Sequence, residues 1–297
     1  MPSKSPQNLQ LRFTDLDERP DLSEEVLALY RRFGPGRFHA VNGEPSAMGQ
    51  EPQITDLYDC LGVLVAMDGN DQVAGALAIC PYSSSQVTLW GPVVASGHQG
   101  YTIGPRLLDR ARQALREGGF ESVRVLNDTR NRRARAFFLS HGMAPWKDNH
   151  LYERQLDGTE PMEAPGVALA RLSDHSEVGS IIMTCFPDSS HCDVSLFERE
   201  RQGYRHYILQ ASGNIVAVAA VKGLGRRSWL SLYAVHPRRQ GKGYGTTLIQ
   251  GLIGEEYRHG VRSIGLEVLA DNTTAIRVYE RVGFVRRWTA SILVGPL

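Results

Sequence analysis

The sequence predicts an α/β (α+β) protein made of two tandem copies of one domain. Within its 297 residues, matching positions lie 141 residues apart (240 − 99), without a gap across residues 99–142 of the first copy. Short apolar runs typical of strands alternate with segments whose apolar residues recur at helical spacing. A glycine-rich turn joins one such run to the next helix pattern in each copy. A long repeat without gaps indicates duplication of a whole fold. The matched residues are Gln99 and Gln240, Gly104 and Gly245, Asn131 and Asn272, Ala134 and Ala275, Phe138 and Tyr279, and Gly142 and Gly283.

The first copy begins with strand and helix patterns that precede its glycine turn. Val26, Leu27 and Tyr30 fall on one face of a predicted helix. Asp68-Gly69-Asn70 joins two apolar runs, which is typical of a β-hairpin turn. Residues 34–53 are rich in Gly and Pro, so a loop is predicted there. The predicted elements are strands at 9–14, 61–67, 72–80 and 87–94 and a helix at 22–33.

A polar stretch containing Pro and Gly, from Asp157 to Gly166, separates the two copies. The predicted organisation is a first domain at 1–156, a linker at 157–166 and a second domain at 167–297. Ser212-Gly213-Asn214 repeats the hairpin turn of the first copy, and Ser173 is a predicted helix N-cap. The predicted elements here are strands at 151–156, 167–172, 207–211, 215–221 and 229–235 and helices at 177–186 and 246–257.

The composition excludes several classes of protein. It is 42% hydrophobic and 22% charged, as in ordinary globular chains. A formal net charge of +1 gives no electrostatic argument for nucleic acid or an anionic membrane as partner. The apolar region 61–80 is interrupted by polar residues and predicts two strands, not a membrane span. Residues 1–10 have no apolar signal-peptide core, so we expect a cytoplasmic protein.

The four cysteines show neither a C-x-x-C pair nor metal-ligand spacing with histidines. We therefore expect reduced thiols and no metal site. Cys185 and Cys192 flank His191, which indicates either a nucleophile–base pair or ordinary loop residues near a pocket.

The stretch Gln240-Gly241-Lys242-Gly243-Tyr244-Gly245 is the main functional signal. Glycine permits positive φ and close approach of a ligand to the backbone. The unpaired N–H groups of the following helix and its dipole favour an anion. The spacing fits neither the dinucleotide-binding G-x-G-x-x-G pattern nor the P-loop. A phosphorylated cofactor is therefore expected.

This stretch resembles the Q/R-x-x-G-x-G/A signature of the GNAT superfamily of N-acetyltransferases. Residues 266–284, which include Glu267, Asn272, Tyr279 and Gly283-Phe284, resemble the family's strand, Asn, helix, Tyr and Gly-Phe segment. They are most similar to enzymes that acetylate protein N-terminal amines. The resemblance implies two GNAT-like domains, each a mixed, mostly antiparallel twisted sheet flanked by helices. The tandem architecture is also similar to mycothiol synthase-type acetyltransferases.

The resemblance further implies acetyl-CoA (coenzyme A) as co-substrate. Backbone N–H groups of the glycine stretch would hold its pyrophosphate, and those at the strand end at Val235 would help polarise the thioester carbonyl. Asn272 would cap its helix, contact the pantetheine arm, or do both. The cofactor-binding residues implied are Val235, Gln240, Gly241, Lys242, Gly243, Tyr244, Gly245 and Asn272.

Acetyl transfer to an amine needs a base for the amine and an acid for the departing thiolate. By resemblance, Tyr279 is the acid and Glu267 the base, acting through water. The alternatives are a core aromatic residue for Tyr279 and a solvated strand residue for Glu267. His236 is a further candidate base or a loop residue.

The first copy departs from the pattern at the positions that would carry chemistry. Thr102 stands opposite Gly243, Leu126 opposite Glu267 and Phe138 opposite Tyr279 at the offset of 141 (243 − 102). Leu126 cannot accept a proton and Phe138 has none to donate. We therefore predict that the first copy keeps the fold without catalysis.

The sequence thus predicts an acetyl-CoA-dependent N-acetyltransferase whose second domain is active. A primary amine, either a small molecule or a peptide N-terminus, would attack the thioester directly in a ternary complex. The alternative is a non-catalytic acyl-CoA-binding sensor or regulatory module. We expect the acceptor pocket near residues 186–204, where Asp188, His191 and Asp193 either meet a cationic or polyhydroxylated amine or belong to a surface loop.

Overall fold

The computed structural model describes residues 11–32, 53–158, 164–187 and 195–297. The strands are β1 (Arg12–Asp15), β2 (Gly62–Met67), β3 (Val73–Pro81), β4 (Gln86–Val94), β5 (Ser122–Asp128), β6 (Ala144–Gln155), β7 (Val167–Leu169), β8 (Tyr204–Ala211), β9 (Asn214–Leu224), β10 (Arg227–Val235), β11 (Ser263–Leu269) and β12 (Val285–Pro296). The helices are α1 (Ser23–Arg32), α2 (Ile54–Tyr58), α3 (Ile103–Glu117), α4 (Arg132–Ser140), α5 (His175–Cys185), α6 (Leu196–Arg201), α7 (Tyr244–Arg258) and α8 (Thr273–Arg281).

The repeat predicted from the sequence is present in the secondary structure. The elements β4, α3, β5, α4 and β6 correspond to β10, α7, β11, α8 and β12, and both ends of each pair lie 141 residues apart (244 − 103 for the two longest helices). The tandem duplication is therefore confirmed.

The chain divides into two compact units that do not follow the repeat boundary. Unit 1 contains the chain up to Asp148 together with Ala290–Leu297, and unit 2 contains Asn149–Thr289. By comparison, the sequence predicted domains at 1–156 and 167–297. The difference arises because β6 begins in unit 1 and ends in unit 2, whereas β12 begins in unit 2 and ends in unit 1. An alternating strand pattern does not reveal which neighbour a strand pairs with.

Unit 1 is built on a mixed sheet in the order β1-β2-β3-β4-β5-β12. β4 and β5 are parallel, and the other neighbouring strands are antiparallel. Residues 290–296 of β12 pair with β5 at the edge of this order. Leu107 and Leu108 of α3 are buried on one face of the sheet, and Val26 and Leu27 of α1 are buried on the other.

Unit 2 repeats this arrangement in the order β7-β8-β9-β10-β11-β6. β10 and β11 are parallel, and the remaining neighbours are antiparallel. Residues 149–155 of β6 pair with β11. The core on one face contains residues of α7 and α8, and the core on the other contains residues of α5 and α6. The predicted mixed, mostly antiparallel sheet with flanking helices is confirmed.

The predicted N-cap at Ser173 is wrong. α5 begins at His175, after a 3-10 turn at Leu172–Asp174, so Ser173 lies inside that turn and is not the N-cap. In the described parts of the chain, no helix combines the length and apolar character needed to cross a membrane.

A buried carboxylate network joins α7 to the sheet of unit 2. Glu256 on α7 is 0% exposed. It accepts hydrogen bonds from Arg205 Nε at 2.8 Å, from Tyr207 Oη at 2.7 Å and from Ser228 Oγ. In unit 1 the residues at the corresponding positions of the helix and the strands are all nonpolar: Leu115, Gly62, Leu64 and Val87. The same packing position is therefore filled by an ionic network in one unit and by apolar side chains in the other.

We expect Glu256→Leu to lower the free energy of unfolding by about 3–5 kcal/mol, because it leaves the partly buried Arg205 without its carboxylate. Adding Arg205→Gly, Tyr207→Leu and Ser228→Val recreates the set found in unit 1 and should recover part of this loss. Urea unfolding of the single and quadruple variants measures both effects. A quadruple variant no more stable than the single one would contradict the expectation.

Candidate active site

The site is built around the point where β10 and β11 stop pairing. Their parallel register runs from Arg227 and Ser263 to Leu230 and Leu266. Beyond that point β10 continues to Val235 while paired with β9, and its register with β9 shifts between Leu230 and Leu232. A bulge of this kind redirects a strand. The two strands therefore open a gap at their carboxyl ends, where α/β sheets commonly bind ligands.

The glycine turn lies directly after β10. Gly241 and Gly243 have φ of 76° and 83°, in the left-handed region that favours glycine. A Cβ on either residue would meet no atom within 4 Å, so the space beside this backbone is open. The first backbone hydrogen bond at the start of α7 runs from Thr247 N–H to Gly243 O, which leaves the preceding N–H groups available. These features fit an anion cradle.

Gly245 is needed for a different reason. A Cβ there would overlap the hydroxyl of Tyr233 on β10. The absence of a side chain therefore lets Tyr233 pack against the start of α7, beside the gap.

Gln240 fixes the end of β10 through its side chain. Its Nε2 donates to Val235 O at 3.1 Å, and Gln99 Nε2 donates to Val94 O at 3.4 Å in unit 1. The N–H of His236 donates to Val216 O on β9. Successive residues of a strand point their N–H groups to opposite edges, so Val235 N–H faces the gap.

Tyr279 is held on α8, whose N-cap is Asn272. The Asn272 side chain accepts from Ala275 N at 3.2 Å, so its capping role is confirmed. Tyr279 is 6% exposed, and its ring centroid lies 5.8 Å from those of Tyr233 and Phe284. Burial raises the pKa of Tyr279 well above the usual value for a tyrosine, and the nearby Tyr233 raises it further. Tyr279 therefore remains a protonated phenol near neutral pH.

Glu267 lies on the other face of the sheet. Its neighbours Leu266 and Val268 belong to the core that contains Tyr279, so the Glu267 side chain points to the face covered by α5 and α6. Asn149 Nδ2 on β6 donates to Glu267 Oε2 at 2.6 Å. Tyr279 and Glu267 thus lie on opposite faces of the sheet, and Glu267 directly follows Leu266, the last residue of β11 that pairs with β10.

Comparison with known proteins identifies the family. The model of the acetyltransferase (GNAT) family matches residues 23–143 and 176–284. The chain belongs to the GNAT family. The two matched segments correspond to the two copies, and the family implies acetyl-CoA use.

Individual GNAT proteins resemble parts or all of the chain. It is 36% identical over 81 residues to the [ribosomal protein bS18]-alanine N-acetyltransferase of Escherichia coli (strain K12), covering 27% of this chain and 55% of that protein. It is 38% identical over 63 residues to mycothiol acetyltransferase of Paenarthrobacter aurescens (strain TC1), covering 21% of this chain and 19% of that protein. The aligned part of the chain thus spans about half the length of the first relative and about a fifth of the length of the second.

A solved structure shares the complete fold. The tandem GNAT protein from the clavulanic acid biosynthesis pathway aligns with a TM-score of 0.71 at 19% identity, covering 97% of this chain and 98% of that one. This likeness shows the tandem GNAT fold.

Several other residues singled out in the sequence have defined positions. His236 Nδ1 accepts from Arg238 N at 3.2 Å and caps a short 3-10 turn. Cys185 Sγ lies 3.7 Å from Val235 O, and burial raises the pKa of this thiol. Cys185 is therefore a poor nucleophile near neutral pH. Its predicted partners His191 and Cys192, like Asp188 and Asp193, lie outside the described residues.

The remaining residues of the glycine stretch differ in exposure. Lys242 is exposed on the turn, beside the exposed Arg238 and Arg239, while Tyr244 begins α7 and packs partly against the core. Sequence reasoning did not include the two arginines in the site. Their position next to a glycine turn could have drawn attention to them, since cationic side chains favour a phosphorylated ligand.

Sequence reasoning also missed Tyr233. Burial raises the pKa of Tyr233 to about 12. Its counterpart in unit 1 is Pro92, at the offset of 141 (233 − 92), so comparing the two copies could have drawn attention to this position.

Unit 1 has the corresponding gap but different contents. Parallel pairing of β4 with β5 runs only from Gln86 to Thr88. A Cβ on Gly104 would contact the Phe137 ring at 3.5 Å and Pro92 at 3.6 Å. Side chains therefore lie against the start of α3. In addition, Pro105 has no N–H to offer in the first turn of that helix, and the Thr102 N-cap has a φ of −75° where Gly243 is left-handed.

We expect Gly243→Leu to weaken acetyl-CoA binding about tenfold or more, because the new side chain would fill the open space beside the turn. Gly260→Leu is the matched control. Gly260 has the same φ of 83°, meets no atom within 4 Å of an added Cβ, and follows the other end of α7. Each change should cost about 1–2 kcal/mol of stability through backbone strain. Calorimetry with acetyl-CoA measures affinity, and equal affinity in the two folded variants would argue against this position for the cradle.

Proposed function

We propose that the protein transfers an acetyl group from acetyl-CoA to a primary amine, and that unit 2 carries the reaction. The observation that carries this proposal is that Glu267 and Tyr279 lie on opposite faces of the sheet, with Glu267 next to the last pair of β10 and β11. A base on one side and an acid on the other suit direct attack through a ternary complex.

The residues proposed to bind acetyl-CoA surround the glycine turn. The N–H groups of Gly241, Gly243 and Gly245 would donate hydrogen bonds to the pyrophosphate at the start of α7, and Lys242 adds positive charge. Gln240 and Tyr244 support the turn from either end. Val235 N–H faces the gap, where it can donate to the thioester oxygen, and Asn272, at the start of α8, would contact the pantetheine arm.

The chemistry is then divided between two side chains. Acetyl-CoA supplies the activated acetyl thioester. Glu267 takes a proton from the incoming ammonium group, directly or through water, and so generates the neutral amine nucleophile. Val235 N–H stabilises charge on the carbonyl oxygen. Tyr279 donates its phenolic proton toward the departing sulfur. Its high pKa suits an acid that remains protonated until the thiolate develops.

The proposed acceptor is a primary amine, either a small molecule or a peptide N-terminal amine. The relatives named above are described as acting on the alanine of a ribosomal protein and on mycothiol. The face that carries Glu267 is covered by α5 and α6, and these helices border the proposed acceptor region. We propose that unit 1 does not turn over acetyl-CoA, since it has Leu126 and Phe138 at the two catalytic positions.

We expect Tyr279→Phe to lower kcat by about 10²–10⁴-fold with little change in acetyl-CoA affinity, because only the transferable proton is removed. Thiol release from acetyl-CoA, measured with a panel of small primary amines and short peptides, reports the rate. Tyr152→Phe is the control, since it deletes another half-buried hydroxyl, which donates to Glu280 at 2.8 Å. Wild-type kcat in Tyr279→Phe would mean that this tyrosine only packs.

We expect Tyr279→Phe with Glu267→Gln to remove essentially all acetyl transfer while unit 1 stays unchanged. The assay is the same thiol release under steady-state conditions, with acetyl-CoA binding checked by calorimetry. A variant that binds acetyl-CoA without turnover supports unit 2 as the catalytic unit. Substantial turnover in a well-folded sample would move catalysis to other groups, including those of unit 1. Binding without any turnover in the wild-type protein, across the whole amine panel, would favour the acyl-CoA sensor.

A further inference from the structure

Asn149 is the side chain that contacts the proposed base from the neighbouring strand. Its Nδ2 lies 2.6 Å from Glu267 Oε2, and the residue is only 8% exposed. In the register of β6 with β11, Asn149 pairs with Leu269 and Leu151 pairs with Glu267, so the asparagine and the glutamate lie on the same face of the sheet. An ionised carboxylate only accepts hydrogen bonds, which fixes the amide nitrogen of Asn149 as the donor.

Comparison of the two units shows that this pair changes together. In unit 2, Asn149 pairs with Leu269. At the corresponding position of unit 1, Ala290 pairs with Asp128, so Ala290 is the counterpart of Asn149. Ala290 has no group that could donate a hydrogen bond, and the corresponding catalytic position is Leu126. The unit that retains the carboxylate has a donor beside it, whereas the unit that lacks the carboxylate has a methyl group. The amide of Asn149 therefore accompanies Glu267 and is not a requirement of the fold.

We propose that Asn149 is a positioning residue for acetyl transfer, which orients Glu267 and keeps it ionised so that it can accept a proton from the amine. This inference rests on the proposed role of Glu267 as base. A short hydrogen bond from a buried amide favours the charged carboxylate over the acid and restricts its rotamers. The positioning group comes from β6, which belongs to the first sequence copy, so the catalytic unit depends on a strand outside residues 167–297.

The sign of the effect follows from this hydrogen bond. Without the donor, the carboxylate takes up its proton at a higher pH, so the base is lost earlier as pH falls. Activity should therefore drop on the acidic side of the pH profile and recover at higher pH. A purely structural asparagine would instead lower activity and stability across the whole profile.

The test compares kcat/KM–pH profiles of the full-length protein and its variants. Asn149→Ala removes the donor. Asn149→Asp replaces it with a near-isosteric acceptor that carries the same negative charge as Glu267. We expect the acidic limb of the profile to move to higher pH by about one to two units. At pH values below this limb, kcat/KM should fall about 10–100-fold. Both changes should be larger for Asn149→Asp. Asn149→Ser keeps a small donor and should restore part of the loss. If Asn149→Ala or Asn149→Asp does not fold, the pH profile of Asn149→Ser still tests the proposal.

Asn127→Ala is the matched control, because Asn127 is a buried asparagine of unit 1, 3% exposed. It should alter stability and leave the acidic limb in place. If Glu267→Gln abolishes the limb while Asn149→Ala leaves it unmoved, the role of Asn149 is refuted and the proposed function stands. If Glu267→Gln keeps both activity and limb, the proposed base is wrong and this inference fails with it.

A direct titration provides a readout that does not need an acceptor. In protein labelled with 13C at the glutamate carboxyl carbon, the resonance missing from Glu267→Gln identifies this side chain. Its midpoint should lie at higher pH in Asn149→Ala than in the wild-type protein. An unchanged midpoint would overturn the proposal.

Discussion

The end of parallel pairing between β10 and β11 is the constraint on which the proposed site depends. Adjacent strands normally keep their backbone groups bonded, since unpaired buried groups cost free energy. Here β10 stays paired with β9 and β11 stays paired with β6 beyond the last shared pair, Leu230 and Leu266. Pairing on the outer sides therefore stabilises the gap. Gln240 Nε2 and, more weakly, the Cys185 thiol donate to Val235 O at the end of β10.

This constraint explains why the proposed catalytic groups come from separate elements. Side chains of one strand alternate between faces, so β11 places Leu266 and Val268 in the core with Tyr279 while Glu267 faces the other way. In a closed sheet these faces would be isolated from each other. The gap would allow a thioester bound there to meet the proposed acid on α8 and the proposed base on β11. The local loss of pairing would therefore give a bound thioester access to side chains from both faces of the sheet.

The sequence was sufficient to predict the duplication, the sheet type and the glycine turn, because these depend on local patterns that repeat at a constant offset. The pairing of β6 and β12 was not predictable in the same way. A strand pattern such as 151–156 shows which residues face a core, but not which strand lies beside it. For that reason Asn149 was not recognised as a neighbour of Glu267. Tyr233 was missed because its contact with Gly245 depends on how β10 bends after its bulge.

The two units serve as an internal comparison for deciding which buried polar groups belong to the fold. Unit 1 forms the same sheet with Leu115, Leu126 and Phe138 where unit 2 has Glu256, Glu267 and Tyr279. The fold therefore requires none of these three polar groups. Glu256 is surrounded by donors from Arg205, Tyr207 and Ser228, as expected for an element of stability. Within the described residues, by contrast, the Tyr279 hydroxyl has no hydrogen-bond partner although its ring is buried. A phenol that has no internal partner on a buried ring can bind an external one, and we propose the acetyl-CoA sulfur for that role.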